Sequence, residues 1–250
     1  MRFCIRVRPL AALAAALALP LVWAAPAPLC AQDGLSAGQA AATLRQLVLL
    51  HLEWRGPAYD ELQSIHERLY VQATDGSRLP ASLWMDREGR TRREVDAPGA
   101  QSVQVAAPAG AWRAGADGKV MDDPGGYERA RRYAALEFGD ALTGRAGATA
   151  TLAGQRDFMD KTWIDVRVTF GDADTYDVLL DGPTGGLCCY LITEKGVTRT
   201  IMFGQWRLID GVRIPFAELV QSGSQTILQV SAVELNRQLD ASLFERPPAG

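Results

Sequence analysis

The stretch from Lys161 to Phe216 constrains the fold of this chain most strongly, because its residues alternate in character and tight turns divide it. A period of two residues is typical of a half-buried strand. The turn sequence Asp210-Gly211 favours a two-residue hairpin. The stretch therefore predicts a meander of antiparallel strands. The clearest alternating row is Thr162, Ile164, Val166, Val168 and Phe170.

Similar strands precede and follow this stretch. Ile65, Glu67, Leu69 and Val71 share one parity of an alternating segment, and residues 225–235 form a last one. An open sheet with many strands has to twist and curl. We therefore expect an α+β fold, in which a curled antiparallel half-barrel sheet of about ten strands has two or more helices covering its concave face.

Two segments have helical spacing. Ser36 and Gln39 form a capping-box pattern, which predicts a first helix over residues 37–54. Asp123 followed by Pro124 predicts the start of a second, arginine-rich helix that continues to about Leu142. The apolar faces of both helices need a partner, and the sheet is the large apolar surface that the chain offers.

The first residues have the features of an export signal. A basic leader precedes an apolar core from Leu10 to Ala25, and small residues follow around Ala31. We expect a signal peptide over residues 1–31, cleaved near Ala31, and a single periplasmic domain over residues 32–250. A membrane anchor is the alternative, but the apolar run is shorter than the roughly 20 residues that a spanning helix needs. Lipidation of Cys30 stays open.

Charge and cysteine content exclude other classes. The net charge of −3 becomes more negative once the arginines of the leader are removed, which disfavours a nucleic-acid partner. Cys188 and Cys189 are adjacent in a predicted strand, so their side chains should point to opposite faces. Buried thiols are favoured over a strained bridge, and the fold then depends on its core instead of on disulfides.

No catalytic or metal-binding motif stands out. His51 and His66 lack the spacing that places two zinc ligands on one helical face. Gly223 lies between two serines, but in a turn between strands and not in the strand-to-helix elbow of a hydrolase. We therefore expect a protein that is not an enzyme and that binds no metal ion or other cofactor.

The order of the elements and several short strings resemble the periplasmic carriers and receptors that sort outer-membrane lipoproteins, the LolA/LolB-like family. The strings are Leu79-Pro80 with Trp84 and Arg90 to Glu94, Tyr176-Asp177-Val178 with Thr184-Gly185, Trp206-Arg207 with Asp210-Gly211-Val212, and Leu239-Asp240 with Ser242-Leu243-Phe244. The resemblance extends over nearly the whole chain after residue 31.

This resemblance implies a cavity for acyl chains beneath a lid of helices. The protein would then be a periplasmic, non-catalytic monomer that carries a lipid or an acylated protein, with a membrane protein as its donor or acceptor. The alternative is an envelope-stress or regulatory protein that uses the same fold to bind a protein or peptide. The arginine that locks the lid in the family could be any one of Arg90, Arg92, Arg93, Arg129, Arg131 and Arg132.

Aromatic residues are the candidates for ligand binding, because they combine a large apolar surface with a polar atom in tryptophan and tyrosine. The alternative for each is an ordinary place in the core. The strand candidates are Trp84, Trp112, Trp163 and Trp206, and the candidates on the second helix are Tyr127, Tyr133 and Phe138.

Overall fold

Antiparallel strands form most of the computed structural model, which describes residues 37–72, 76–115, 117–171 and 174–247. The predicted signal peptide, its cleavage position and Cys30 lie outside these residues. Six strands come first in the chain. They are β1 (Ser64–Gln72), β2 (Arg78–Asp86), β3 (Thr91–Ala97), β4 (Ala100–Ala107), β5 (Gly110–Ala114) and β6 (Val120–Asp122).

A second series of nine strands occupies the rest of the chain. They are β7 (Thr149–Phe158), β8 (Lys161–Thr169), β9 (Thr175–Leu180), β10 (Leu187–Glu194), β11 (Val197–Gly204), β12 (Arg207–Ile209), β13 (Val212–Ile214), β14 (Ala217–Ser222) and β15 (Ser224–Leu235). The predicted hairpin at Asp210-Gly211 is confirmed, since it joins β12 to β13. Both turn residues have positive φ, 47° and 82°, as a tight two-residue turn requires.

Thirteen of these strands form one sheet in the order β6-β5-β4-β3-β2-β1-β15-β14-β11-β10-β9-β8-β7, and β12 pairs only with β13 in the described chain. The last strand returns to the first, because β15 pairs antiparallel with β1. The antiparallel α+β class is confirmed. The expected number of about ten strands was wrong, and within the described residues the sheet is open, with β6 and β7 at its edges.

Two helices, α1 (Ala37–Arg55) and α2 (Gly126–Glu137), cover one face of the sheet, which we call the helical face. Their residues share one apolar cluster with the inward residues of β8, β9 and β10. The prediction for α1 is confirmed. The prediction for α2 was too long at both ends, because Gly125 and Gly139 adopt φ values of 77° and 74° that lie outside the helical region. None of the described helices combines the length and hydrophobicity of a transmembrane span.

The opposite, outer face of the sheet has two smaller apolar clusters. One forms where a short 3₁₀ helix, Ala241–Phe244, packs on β3 and β4. The other contains Cys188 and Cys189, so the expectation that these cysteines point to opposite faces was wrong. A bulge in β10 between Leu187 and Cys189 shifts the alternation by one residue and turns both thiols outward. Both are free thiols.

Candidate ligand cavity

A cavity of about 280 Å³ lies between α2 and the centre of the sheet. Seven strands line it, from β4 through β1 and β15 to β11, and each contributes two residues that are two positions apart. Leu83 and Met85 on β2 are one such pair. Strands from both parts of the sheet therefore border one space beneath α2.

Helix α2 forms the roof of the cavity, and small side chains on this helix leave the space open. The residues of α2 that line the cavity are Gly126, Arg129, Ala130 and Tyr133, which recur at the three- and four-residue spacing of one helical face. Gly126 has no room for a side chain, since a Cβ atom there would come within 2.7 Å of the Ala111 Cβ. The glycine lets α2 approach β5 closely, while Ala130 is too short to fill the cavity.

The strands form the floor of the cavity, and this floor is largely apolar. Side chains from five different strands contribute to it and expose a hydrocarbon surface to the space beneath α2. They are Leu69, Leu83, Met85, Ile201, Val220, Leu228 and Val230.

Six charged residues line the cavity, and four of them come from the strands. Glu67 extends from β1, Arg93 from β3, Arg199 from β11 and Glu218 from β14. Glu67 is only 5% exposed. The Nε atom of Arg199 is buried and has no hydrogen-bond partner in the described part of the chain. Arg129 also lines the cavity but is neutralised by Asp123, whose carboxylate lies 2.6 Å from its guanidinium.

The cavity environment favours the uncharged form of its carboxyl groups. Burial, with help from Glu218 and Glu137, raises the pKa of Glu67 well above its ordinary value. Burial and Glu137 raise the pKa of Glu218 to about 8, although Arg93 acts in the opposite direction. Burial lowers the pKa of Arg93, and Glu218 partly offsets this effect.

A buried polar cluster joins the end of α2 to the end of α1 beside the cavity. The Arg55 side chain is 0% exposed, and its guanidinium lies 3.4 Å from the Glu137 carbonyl oxygen and 3.9 Å from the Glu137 carboxylate. The Tyr59 hydroxyl donates a 2.6 Å hydrogen bond to the same carbonyl. Burial raises the pKa of Glu137, whereas Arg55 and hydrogen bonds from Tyr133 and Tyr190 act to lower it.

Of the predicted ligand-binding residues on the helical side of the sheet, Tyr133 lines the cavity. Tyr127 donates a 3.1 Å hydrogen bond from its hydroxyl to the Glu88 carbonyl at the edge of α2. Phe138 is buried in a separate apolar cluster. Trp206 packs edge-to-face against Trp54 of α1, with 4.7 Å between ring centroids. These last three do not line the cavity.

The other predicted residues lie on the outer face. Trp84 stacks on His66 at a centroid distance of 4.8 Å. Trp112 is buried against Phe244. Trp163 donates a 2.9 Å hydrogen bond to the Phe158 carbonyl. The structure therefore does not bring these three tryptophans to the cavity beneath α2.

Most of the arginines that the resemblance suggested for a lid lock pair with nearby acids. Arg90 binds Asp86, and Arg92 binds Glu94. Arg131 and Arg132 both bind Glu128, within α2 itself. Arg93 instead faces the cavity.

Sequence reasoning missed Glu67, Arg199 and Glu218 as cavity residues, although a signal for the first two was present, and it named Arg93 only as a possible lid arginine. Glu67 lies on the same parity as Ile65 and Leu69, and Arg199 lies on the same parity as Ile201. A charged residue in an otherwise apolar row of a strand points toward the core side of the sheet. Glu218 was missed because β14 was not recognised as a strand.

Comparisons with known proteins bear on the fold. No protein-family model matches the sequence, and no curated protein is significantly similar to it. The structure is similar to a DUF1329 family protein from Desulfovibrio piger, with a TM-score of 0.53, 14% identity, and coverage of 81% of this chain and 97% of that one. It is also similar to a LolA superfamily protein from Nitrosomonas europaea, with a TM-score of 0.50, 12% identity, and coverage of 81% and 97%.

A third similar structure is a domain from Vibrio parahaemolyticus whose name assigns it to outer-membrane lipoprotein sorting. Its TM-score is 0.51 at 11% identity, and the match covers 80% of this chain and 97% of that one. The protein has a LolA-like fold. The predicted resemblance is thereby confirmed at the level of the fold.

Proposed function

We propose that this protein is a non-catalytic, exported binding protein that holds the acyl chain of a lipid or of a lipidated protein in the cavity beneath α2. The observation that carries the proposal is the open space of about 280 Å³ over an apolar floor. Its volume is close to the lower end of the range for small-molecule sites, about 300 Å³. A LolA-like fold and the name of the Vibrio domain support the same function.

Burial of hydrocarbon supplies enough free energy for such a site. Each buried methylene contributes about 0.8 kcal/mol, so each added carbon should tighten binding about fourfold until the cavity is full. Roughly ten buried methylenes would give about 8 kcal/mol, which corresponds to micromolar affinity. No catalytic group is required for this role.

A carrier of this kind also needs partners. An acyl chain is poorly soluble in water, so we propose that a membrane protein delivers it and that a second one receives it. The protein would act as a monomer in the periplasm, because one chain contains the complete cavity. The envelope-stress alternative, in which a peptide or partner protein binds instead of an acyl chain, is distinguished by the following experiment.

The test is to titrate the purified protein with saturated alcohols of increasing chain length, with calorimetry as the readout. The wild type should bind with affinity that rises about fourfold per methylene and then reaches a plateau. Ala130→Leu, which places a larger side chain under the roof of the cavity, should weaken binding by at least about tenfold.

A matched control separates this effect from a change in helix propensity. Ala42→Leu makes the same substitution at an exposed position of α1 and should bind like the wild type. Native mass spectrometry of the same samples would count bound chains. If the wild type binds none of the alcohols, or if Ala130→Leu binds as tightly as the wild type, this cavity is not an acyl-chain site.

A further inference from the structure

The charged residues of the cavity indicate what kind of head group its ligand has, and this inference rests on the proposed function. Arg93 and Arg199 form no ion pair with any residue that the structure describes, although both line an apolar space. Both residues are partly buried, and a guanidinium nitrogen that is buried without an acceptor is unfavourable. The buried Nε of Arg199, in particular, has no acceptor among the described residues.

The two arginines border the same cavity from different sides. Arg93 lies on β3 and Arg199 on β11, on opposite sides of the central strands β1 and β15. The apolar side chains of Leu69, Leu228 and Val230 lie between them on the floor. Both arginines therefore border the space in which the hydrocarbon chain would lie, each on its own side of the floor.

We infer that the cavity selects an amphiphile whose head group carries anionic oxygens, a carboxylate or a phosphate, and that Arg93 and Arg199 bind these oxygens. Arginine stays protonated in proteins and matches both groups with paired N–H donors. A free fatty acid and a phospholipid both supply this chemistry. Arg129 adds no net charge, because Asp123 neutralises it.

The two carboxyl groups in the cavity are compatible with an anion when they are protonated. Burial raises the pKa of Glu218 to about 8 and also raises that of Glu67, so both shifts favour the protonated form, which can donate a hydrogen bond to an anion. The groups that face Glu218 are Glu67 from β1, Glu137 and Tyr133 from α2, and Arg93 from β3.

Binding of an anion should weaken as the pH rises. Ionisation of Glu218 above about pH 8 places a negative charge beside the head group, which opposes Arg93. Glu218→Gln removes this charge change and keeps a similar shape. The affinity of the variant for an anion should therefore change less than that of the wild type over the same pH range.

The experiment compares four ligands with the same twelve-carbon chain, roughly matched in apolar area: dodecanoate, dodecyl phosphate, 1-dodecanol and dodecylamine. The wild type should bind one or both anions at least about tenfold more tightly than the alcohol, since a hydrogen bond to a charged group has an effect of that size. The preference between carboxylate and phosphate separates the fatty-acid source from the phospholipid source.

Variants then assign the effect to residues. Arg93→Gln and Arg199→Gln should each lose about tenfold in affinity for the preferred anion while their affinity for 1-dodecanol stays unchanged. Arg113→Gln is the matched control, because Arg113 lies on β5 with its side chain exposed and does not line the cavity. It should bind all four ligands like the wild type.

The results separate this inference from the proposed function. If 1-dodecanol binds as tightly as the anions, or if dodecylamine binds most tightly, the inference about the head group is wrong and the acyl-chain site stands. If none of the four ligands binds, the proposed function itself fails. The comparison of ligands on the wild type decides the question even if an arginine variant does not fold.

Discussion

The two helices cover the same face of one sheet but leave very different spaces beneath them. Under α1 the face is filled. Leu47 is 4% exposed and Leu180 is 0% exposed, and both belong to the largest apolar cluster. Under the cavity-facing side of α2, a space of about 280 Å³ remains, and Leu228 on its floor is only partly buried.

This difference in packing comes from the side chains of the helices more than from those of the strands. Strands in both regions alternate in the same way, so each presents an apolar row to the helical face. Where α1 contributes leucine and valine, α2 contributes Gly126 and Ala130. Close packing is the default in protein interiors. The proposed ligand site therefore rests on the small residues of α2 and on the charged strand residues opposite them.

The largest expected effect is a loss of stability at the buried pair of Arg55 and Glu137, which lies between the two regions. Glu137→Ala would leave the fully buried Arg55 without its carboxylate and should lower the free energy of unfolding by about 3–5 kcal/mol. The double variant Arg55→Met/Glu137→Leu removes both charges and should recover most of the loss, because Tyr59 bonds to the backbone of residue 137. Urea denaturation measures the free energy of unfolding of both variants. A loss below about 1 kcal/mol in Glu137→Ala would show that the Arg55–Glu137 pair is not needed for stability.

A pair of identical substitutions compares the filled region with the cavity directly. Leu180→Ala should cost about 3 kcal/mol, because it removes a fully buried side chain and leaves a void. Leu228→Ala should cost only about 1 kcal/mol, because that side chain already borders open space. Equal losses in urea denaturation would mean that the two regions are packed alike.

A further effect should appear in the pH dependence of stability. The folded state raises the pKa of Glu218 from 4.5 to about 8, so the folded protein holds this proton more tightly than the unfolded chain does. The resulting stability is present below the unfolded pKa and is lost as the pH rises toward about 8.

Glu218→Gln should make the free energy of unfolding less dependent on pH over this interval. Denaturation at about pH 5 and about pH 8 measures the difference for each protein. Glu53→Gln is a suitable control, since Glu53 is exposed on α1 and should leave the pH profile unchanged. A wild-type stability that rises between these two pH values would contradict the assignment.

Local patterns predicted much of the fold. The alternating rows of residues 162–170 and 65–71 correctly predicted β8 and β1. The sequence Asp210-Gly211 correctly predicted the turn between β12 and β13. They failed where one residue changes the register, as at the bulge before Cys189, and where glycines end a helix early. They also favoured tryptophans such as Trp84 for the site, because the size of a side chain does not reveal which face of the sheet it occupies.

The sequence by itself determined an antiparallel sheet with a helix at its start, because strand periodicity and turn chemistry act over a few residues. The tertiary structure alone decided which inward residues share a space. Glu67 and Glu218 are far apart in the chain and meet only because β15 pairs with β1 and β14 pairs with β15. Their shifted pKa values, and the cavity itself, follow from these long-range pairings and from the small residues of α2 above them.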